Sequence, residues 1–459
     1  MTPTPLTRRA ALLLVTAALS ACALKPAHTL PPPIVFVHGN GDNAAMWLTT
    51  VWRFESNGWP RERLHALDMP YPLARDADDK AQPGRSSADE AMAFLAAEVD
   101  RVLARTGASK VVLMGASRGG ITIRHYIAHG GGAAKVSHAI LGGAPNHGVW
   151  SNPKFLPGSE FNGAGPLLTR LNNQGGAGIE ITPGPKWLTI RSDNNDKYAQ
   201  PDGVWIGAKG TPTNVGFEGP ELKGAENVVI AGIDHRETAC GPLAFAAAYR
   251  FLTGREPATT AATAEPRVVL DGKVSGLGVD NKLGSGSAVN NLALAGATVE
   301  VYASDAATGE RLGAALHRKT VGADGLWGPL AVTSKTALEF VVRADGYATT
   351  HVYRAPLPRS STLLNLRAER VAEAERDAPA LVTLTRPRGY FGIPRDEIVL
   401  DGKSPPAGVP PGVAGVSVAK ARLADAAERS VAASFRSERI VGRSWPTAGN
   451  HVVLLELND

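Results

Sequence analysis

Gly115-Ala116-Ser117-Arg118-Gly119 comes directly after an apolar, β-branched run, Lys110 to Met114, and opens a stretch of helical character, Gly119 to His129. A serine at a strand-to-helix turn is presented outward, where the orphan N–H groups of the helix start favour developing negative charge. The residues on either side must be small because the backbone folds close against itself there. A serine hydroxyl is a poor nucleophile at neutral pH and needs a general base. Among eleven histidines, His235 stands five residues beyond the apolar run Asn227 to Ile230, in Ala231-Gly232-Ile233-Asp234-His235. His147, in a loop, is its competitor, whereas His38 belongs to a His-Gly turn and reads as structural. An imidazole base must be held in one tautomer by an acceptor. The loop Ser192 to Pro201 supplies Asp196, with Asp193 as the alternative.

Charge that develops on a carbonyl oxygen needs two N–H donors aimed at it. The backbone N–H of Arg118 is one, and the turn His38-Gly39-Asn40-Gly41 offers that of Asn40 as the other. This chemistry requires no cofactor. No metal site is expected, because the Asp/Asn cluster at 193–196 lacks the central Gly and final Glu of a calcium loop and the thiols are too few for a Cys-rich site.

These residues must be carried by a scaffold. Ile34 to Val37, Lys110 to Met114, Ser137 to Leu141, Trp187 to Ile190 and Asn227 to Ile230 are short continuous apolar runs. Between them Asp89 to Arg105 repeats Phe94, Leu95, Val99, Val102 and Leu103 at helical spacing, and Gly241 to Thr253 reads as a closing helix. Apolar strands that alternate with helices imply an α/β fold with a mostly parallel sheet and helices on both faces. That domain is expected over 30–256. Residues 257–266 are a linker by composition. Short strands and Gly/Asp turns then indicate a β-sandwich-like domain over 267–367. A second β-rich segment, 368–459, is either separate or the completion of that sandwich.

The N-terminus begins with Arg8-Arg9, a short apolar run from Ala10 to Ala18, then Leu19-Ser20-Ala21-Cys22. This is the form of an export signal, and the run is too short to span a bilayer. Thr7-Arg8-Arg9 resembles a twin-arginine signal, with an ordinary secretory leader as the alternative. Leu19 to Cys22 resembles a lipobox, which implies acylation of Cys22, so residues 1–22 are read as a lipoprotein-type leader. The other cysteine, Cys240, is then the remaining thiol. The chain of 459 residues has 44% hydrophobic and 20% charged side chains, ample for a packed core. A formal charge of +5 without a Lys/Arg stripe excludes a nucleic-acid footprint.

Taken together, Ile34 to Gly41, Gly58 to Asp68, Val102 to Gly120, Lys135 to Gly143 and Asn227 to His235 resemble the small lidless Bacillus-type lipases of the α/β-hydrolase superfamily, over residues 33–253. The order Ser117, Asp196, His235 is that superfamily's order. The resemblance implies carboxylic-ester hydrolysis through a serine acyl-enzyme, with Ser117, Asp196 and His235 as the triad and Asn40 and Arg118 as oxyanion donors. Arg118 and Asn40 depart from the apolar residues frequent there, which predicts a more polar pocket rim. The Gly- and Pro-rich stretch 150–186, with Phe155, Phe161, Leu167, Leu168 and Leu171, is long enough to overhang the site or to be plain surface cover. Residues 297–350 resemble the carboxypeptidase-regulatory-like sandwich, and the whole layout resembles two-domain lipases.

The expected protein is therefore an exported esterase or lipase acting on acyl esters or lipids. It would be periplasmic, anchored to the outer membrane through its lipid, or secreted. Cleavage of an aliphatic polyester such as polyhydroxyalkanoate or polylactide is the close variant, and amide hydrolysis or acyl transfer uses the same triad. A non-catalytic envelope lipoprotein that binds a partner is the alternative of another class.

Overall fold

The computed structural model describes residue 1 and residues 30–174, 178–219, 221–278 and 289–459. The leader and Cys22 lie outside the described residues.

Six strands form the first sheet: β1 (Ile34–Val37), β2 (Leu64–Ala66), β3 (Val111–Ala116), β4 (Val136–Gly142), β5 (Lys186–Ser192) and β6 (Glu226–Ile230), in the order β2-β1-β3-β4-β5-β6. Every neighbouring pair is parallel. Successive side chains of a strand point to opposite faces, and the two faces are both buried here. Ile34, Phe36, Val112 and Met114 join α1 (Leu48–Ser56) and α7 (Pro242–Thr253) in one core. Val35, Val37, Val111 and Leu113 join α2 (Ala88–Thr106) and α3 (Arg118–His129) in another. Helix α2 starts on a capping box, in which Ser87 Oγ accepts from the Glu90 N–H and Glu90 accepts from the Ser87 N–H. It stops at Gly107, whose φ of 65° a glycine takes without strain. Ala91, Leu95, Val99 and Val102 give it one buried face. Three short helices complete this part: α4 (Gly132–Lys135), α5 (Pro166–Leu171) and α6 (Glu237–Cys240). The α/β fold with helices on both faces of a parallel sheet is thus present as expected.

The C-terminal region is built of strands: β7 (Arg267–Leu270), β8 (Val274–Gly276), β9 (Thr298–Ser304), β10 (His317–Thr320), β11 (Leu330–Thr333), β12 (Ala337–Arg343), β13 (Thr349–Arg354), β14 (Leu366–Ala368), β15 (Ala380–Thr385), β16 (Ile398–Leu400), β17 (Val418–Leu423), β18 (Ser430–Phe435), β19 (Glu438–Arg443) and β20 (His451–Glu456). Seven of them form one sheet, β10-β9-β12-β13-β20-β15-β17. The final strand β20 is inserted between β13 and β15 and runs parallel to both. Segments on either side of residue 368 therefore share a sheet.

This region lies directly on the α/β part, and residues 32–459 form a single compact unit. Helix α1 is the reason. Its Val51 and Phe54 face the core beneath the parallel sheet, whereas Leu48 and Trp52 belong to the core of β7, β9 and β12. Trp52 Nε1 also donates to the Ser360 carbonyl at 3.0 Å. The stretch 257–266, a linker by composition, is held along the same helix. Arg53 Nε and Asn57 Nδ2 each donate at 2.8 Å to the Thr260 and Thr259 carbonyls. Composition reports that such a segment has no side chains to build a core; it does not report that a neighbouring helix satisfies its backbone.

His65 on edge strand β2 is buried, and its Nδ1 accepts from Arg105 Nη2 at 2.6 Å. Burial, with Arg105 and Arg63 beside it, pushes its pKa down to about 4. Its unfolded value is about 6.5. The stabilising effect is complete above that value and is lost as the pH falls toward 4, because the unfolded chain alone takes up the proton. Calorimetry should show the melting temperature falling between pH 7 and pH 5, and falling less in His65→Gln; equal pH slopes would refute this role.

Candidate active site

Ser117 follows β3 and precedes α3 with φ 52° and ψ −118°, a backbone conformation that costs a non-glycine residue about 1–3 kcal/mol. The flanking glycines are required by close contacts. A Cβ on Gly119 would lie 2.4 Å from the Val37 carbonyl oxygen, and one on Gly115 would lie 2.7 Å from Ile123 Cδ1. The Ser117 N–H donates to the Gly142 carbonyl of β4 at 2.8 Å, which ties the turn to the sheet.

His235 follows β6, and its Nδ1 is 2.8 Å from Asp196 Oδ2. Asp196, after β5, is oriented by the Tyr198 N–H, which donates to its Oδ1 at 2.8 Å. Tyr198 also meets the His235 ring edge-on, with centroids 4.7 Å apart. His235 Nε2 is buried without a hydrogen-bond partner among the described residues. Ser117 and His235 line one cavity together with Asn40, Asp42, Trp150, Phe161, Trp205 and Tyr390. An imidazole with Nδ1 fixed by a carboxylate and Nε2 uncommitted, lining the same cavity as a serine at a helix start, is suited to remove a hydroxyl proton.

The oxyanion candidates behave in two ways. The Asn40 side chain accepts from the Ala74 N–H at 2.7 Å, which locks its turn. Neither the Asn40 nor the Arg118 N–H has an acceptor among the described residues. The expected polar rim is not found at Arg118, whose guanidinium is buried away from the cavity. Its Nε and Nη2 donate to Glu160 at 2.7 and 3.0 Å, and Nη1 donates to the Pro72 carbonyl at 2.9 Å. A buried guanidinium needs such a carboxylate, and the pair ties Glu160 of the 150–186 stretch to the start of α3. Trp150 and Phe161 from that neighbourhood become cavity walls, while Leu167, Leu168 and Leu171 pack against Ile121 of α3.

The competing residues are engaged by other partners. Asp193 accepts from the Gly232 N–H at 2.9 Å and so braces the loop of His235 without touching the ring. Its burial would raise its pKa, but this N–H and that of Asn194 hold it below the usual carboxylate value. His147 pairs with Glu180 at 3.0 Å. His38 is buried, accepts from the Met69 N–H through Nε2, and is kept neutral by that burial. Among the described residues, no three His, Cys, Asp or Glu side chains converge as a metal site. Sequence reading passed over Glu160, Asp42, Arg236 and Tyr390. Asp42 forms an ion pair with Arg236, the residue after His235, and so clamps the Asn40 turn to the His235 loop. Asp196→Asn should lower turnover of an activated ester on the order of 10³- to 10⁴-fold by misorienting the ring. Asp193→Asn should stay close to the parent; the reverse order in a steady-state assay would exchange their roles.

Two segments of the chain match known protein families. Residues 32–168 match the alpha/beta hydrolase fold family, and residues 266–371 match the lipase C-terminal domain. Among solved structures, the mature form of the Bacillus licheniformis lipase BlEst2 is similar at 20% identity and a TM-score of 0.35, covering 49% of this chain and 93% of that one. The propeptide form of that lipase aligns over 91% of this chain and 93% of its own, at 16% identity and a TM-score of 0.32. Aspergillus fumigatus lipase B aligns over 50% of this chain and 54% of its own, at 17% identity and a TM-score of 0.34. With its parallel sheet and strained serine turn, the chain has an alpha/beta hydrolase fold, matched by that family over 32–168, followed by a strand-rich region that matches the lipase C-terminal domain over 266–371.

Proposed function

We propose that this protein is a serine hydrolase of carboxylic esters, an esterase or lipase. The observation that carries the reading is the His235–Asp196 contact of 2.8 Å, with His235 Nε2 unpartnered in the cavity that Ser117 lines. In the first step Ser117 Oγ attacks the ester carbonyl carbon while its proton passes to His235 Nε2. Asp196 accepts from the Nδ1–H and steadies the imidazolium. The tetrahedral oxyanion is met by the N–H groups of Asn40 and Arg118, each such donor typically contributing about 100- to 1,000-fold in rate. Collapse breaks the bond to the alkoxy group, which leaves as the alcohol with the proton from His235. Water then attacks the acyl-enzyme by the same path, with His235 as base, and releases the acid.

The walls Val149, Trp150, Phe161, Trp205, Ile206 and Tyr390 support a hydrocarbon substrate such as an acyl ester or lipid. The leader supports export, with Cys22 acylated as a membrane anchor.

A fluorophosphonate should label the protein stoichiometrically at Ser117, and Ser117→Ala should lose both the label and p-nitrophenyl ester hydrolysis. A folded protein that takes no label would instead favour a binding lipoprotein. Rates on tributyrin, emulsified triolein and a polyester film sort esterase, lipase and depolymerase. Cells fed radiolabelled palmitate should yield a labelled parent protein and an unlabelled Cys22→Ala; equal labelling would remove the anchor.

A further inference from the structure

The loop that carries His235 is held from far away in the chain. His235 stands between Asp234 and Glu237, both buried, and both carboxylates are bound by arginines of the C-terminal region. Arg386 is fully buried; its Nη1 donates to Asp234 Oδ2 at 2.8 Å and its Nη2 to Glu237 Oε1 at 2.6 Å. Arg395 donates to Glu237 Oε2 at 2.9 Å and reaches Asp234 Oδ2 at 3.3 Å. Burial alone would raise the Glu237 carboxyl, but Arg386 and Arg395 outweigh it and hold it far below the usual range, so it is anionic. Asp234 Oδ1 in turn accepts from the Arg236 and Glu237 N–H groups at 2.9 and 3.0 Å, which shapes the turn around His235.

The same arginines fix one tyrosine. The Tyr390 carbonyl accepts from Arg386 Nη1 and Arg395 Nη2, each at 2.7 Å, and its N–H donates to Asp234 Oδ2 at 2.9 Å. Its ring, 7% exposed, forms part of the cavity that holds Ser117 and His235. Lys197 Nζ sits 3.8 Å from the ring centroid and the Arg236 guanidinium 4.8 Å from it. Two cations against one ring fix its plane as well as its position. Tyr390 thus lines the cavity with Ser117 and His235, and Arg386 binds the loop that carries His235.

We propose that the turn Arg386–Asp396 of the C-terminal region is an integral part of the hydrolytic site. Tyr390 is a specificity-determining wall against which the hydrocarbon group of the ester lies, and Arg386 is the positioning residue for His235. This rests on the ester-hydrolase reading above. The stretch is therefore needed for the chemistry itself, in addition to any contact the C-terminal region makes with lipid or envelope.

The test uses the full-length protein and two ester series, p-nitrophenyl esters of increasing acyl length and butyrates of increasing alcohol length. Tyr390→Ala should raise kcat/KM for the longer members relative to the shortest by about 10-fold or more in one series, the scale of a single methylene's worth of pocket. Tyr390→Phe, which keeps the ring, should retain the parent profile. Arg386→Met should lower kcat about 100-fold with KM little changed, as misplacement of a base does, and Arg386→Lys should restore part of it. Should Arg386→Met fail to fold, the Tyr390 profiles decide. An active, fluorophosphonate-labelled parent whose Tyr390→Ala profile is unchanged in both series overturns this inference and leaves the ester-hydrolase reading standing. A folded parent that neither labels nor hydrolyses any ester overturns both.

Discussion

Two buried carboxylates, paired with one fully buried and one partly exposed guanidinium, are the constraint on which the region around residue 235 depends. Removing such charges from water costs several kcal/mol per ion, and only complete pairing offsets it. Asp234 and Glu237 belong to the α/β part, while Arg386 and Arg395 come from the strand-rich region. Among the described residues the two carboxylates meet cations only from the strand-rich region, where Arg395 also pairs with Asp396 at 2.7 Å. Asp459 also reaches Arg386 at 2.9 Å, so the chain's last residue takes part in the same cluster. The two regions share a further dependence at α1, whose opposite sides feed two different hydrophobic cores. A helix buried on both sides and a charge cluster divided between two regions make separation expensive, which accounts for the single compact unit over 32–459.

The serine turn shows a second kind of constraint. Ser117 stays at a positive φ because its surroundings over-determine it: no side chain fits at Gly119 against the Val37 carbonyl or at Gly115 against α3, and Gly142 accepts the Ser117 N–H. The strain is local, but its support spans β1, β3, β4 and α3. Function is placed where strands end and loops begin, on a sheet too tightly packed to relax. The same logic explains Arg118. Its backbone N–H stands at the start of α3 while its side chain turns away to meet Glu160, so one residue serves the turn and the cover by different atoms.

How far these features could be read in advance depends on their distance along the chain. The strand β3 with its Gly-x-Ser-x-Gly turn, the helix α2 and the closing helix α7 are local patterns, and their bounds in the structure fall within about two residues of the periodicity. Strands β10, β13, β18 and β19 have no such signature. They carry His317, Arg318, His351, Arg354, Ser430, Ser434, Glu438 and Arg439, polar residues that pairing and ion contacts accommodate within the sheets. Edge strand β2 is three residues long, too short for any period to register.

Ser117, Asp196 and His235 could be picked out as candidates because each follows a strand, and a strand's apolar run is visible in the residues themselves. Asp196 could be separated from Asp193 only by geometry: both follow β5, and only the turn's path decides which carboxylate meets an imidazole and which meets a backbone N–H. Tyr390 and Arg386 could not be seen at all, because nothing local distinguishes a tyrosine in a Gly-rich turn from any other. The amino-acid order determined which groups can do chemistry and which segments form the sheet that presents them. The tertiary structure alone decided which distant side chains wall the cavity and hold its base, since that choice follows from pairing buried charges across long loops, a matter of space and not of spacing.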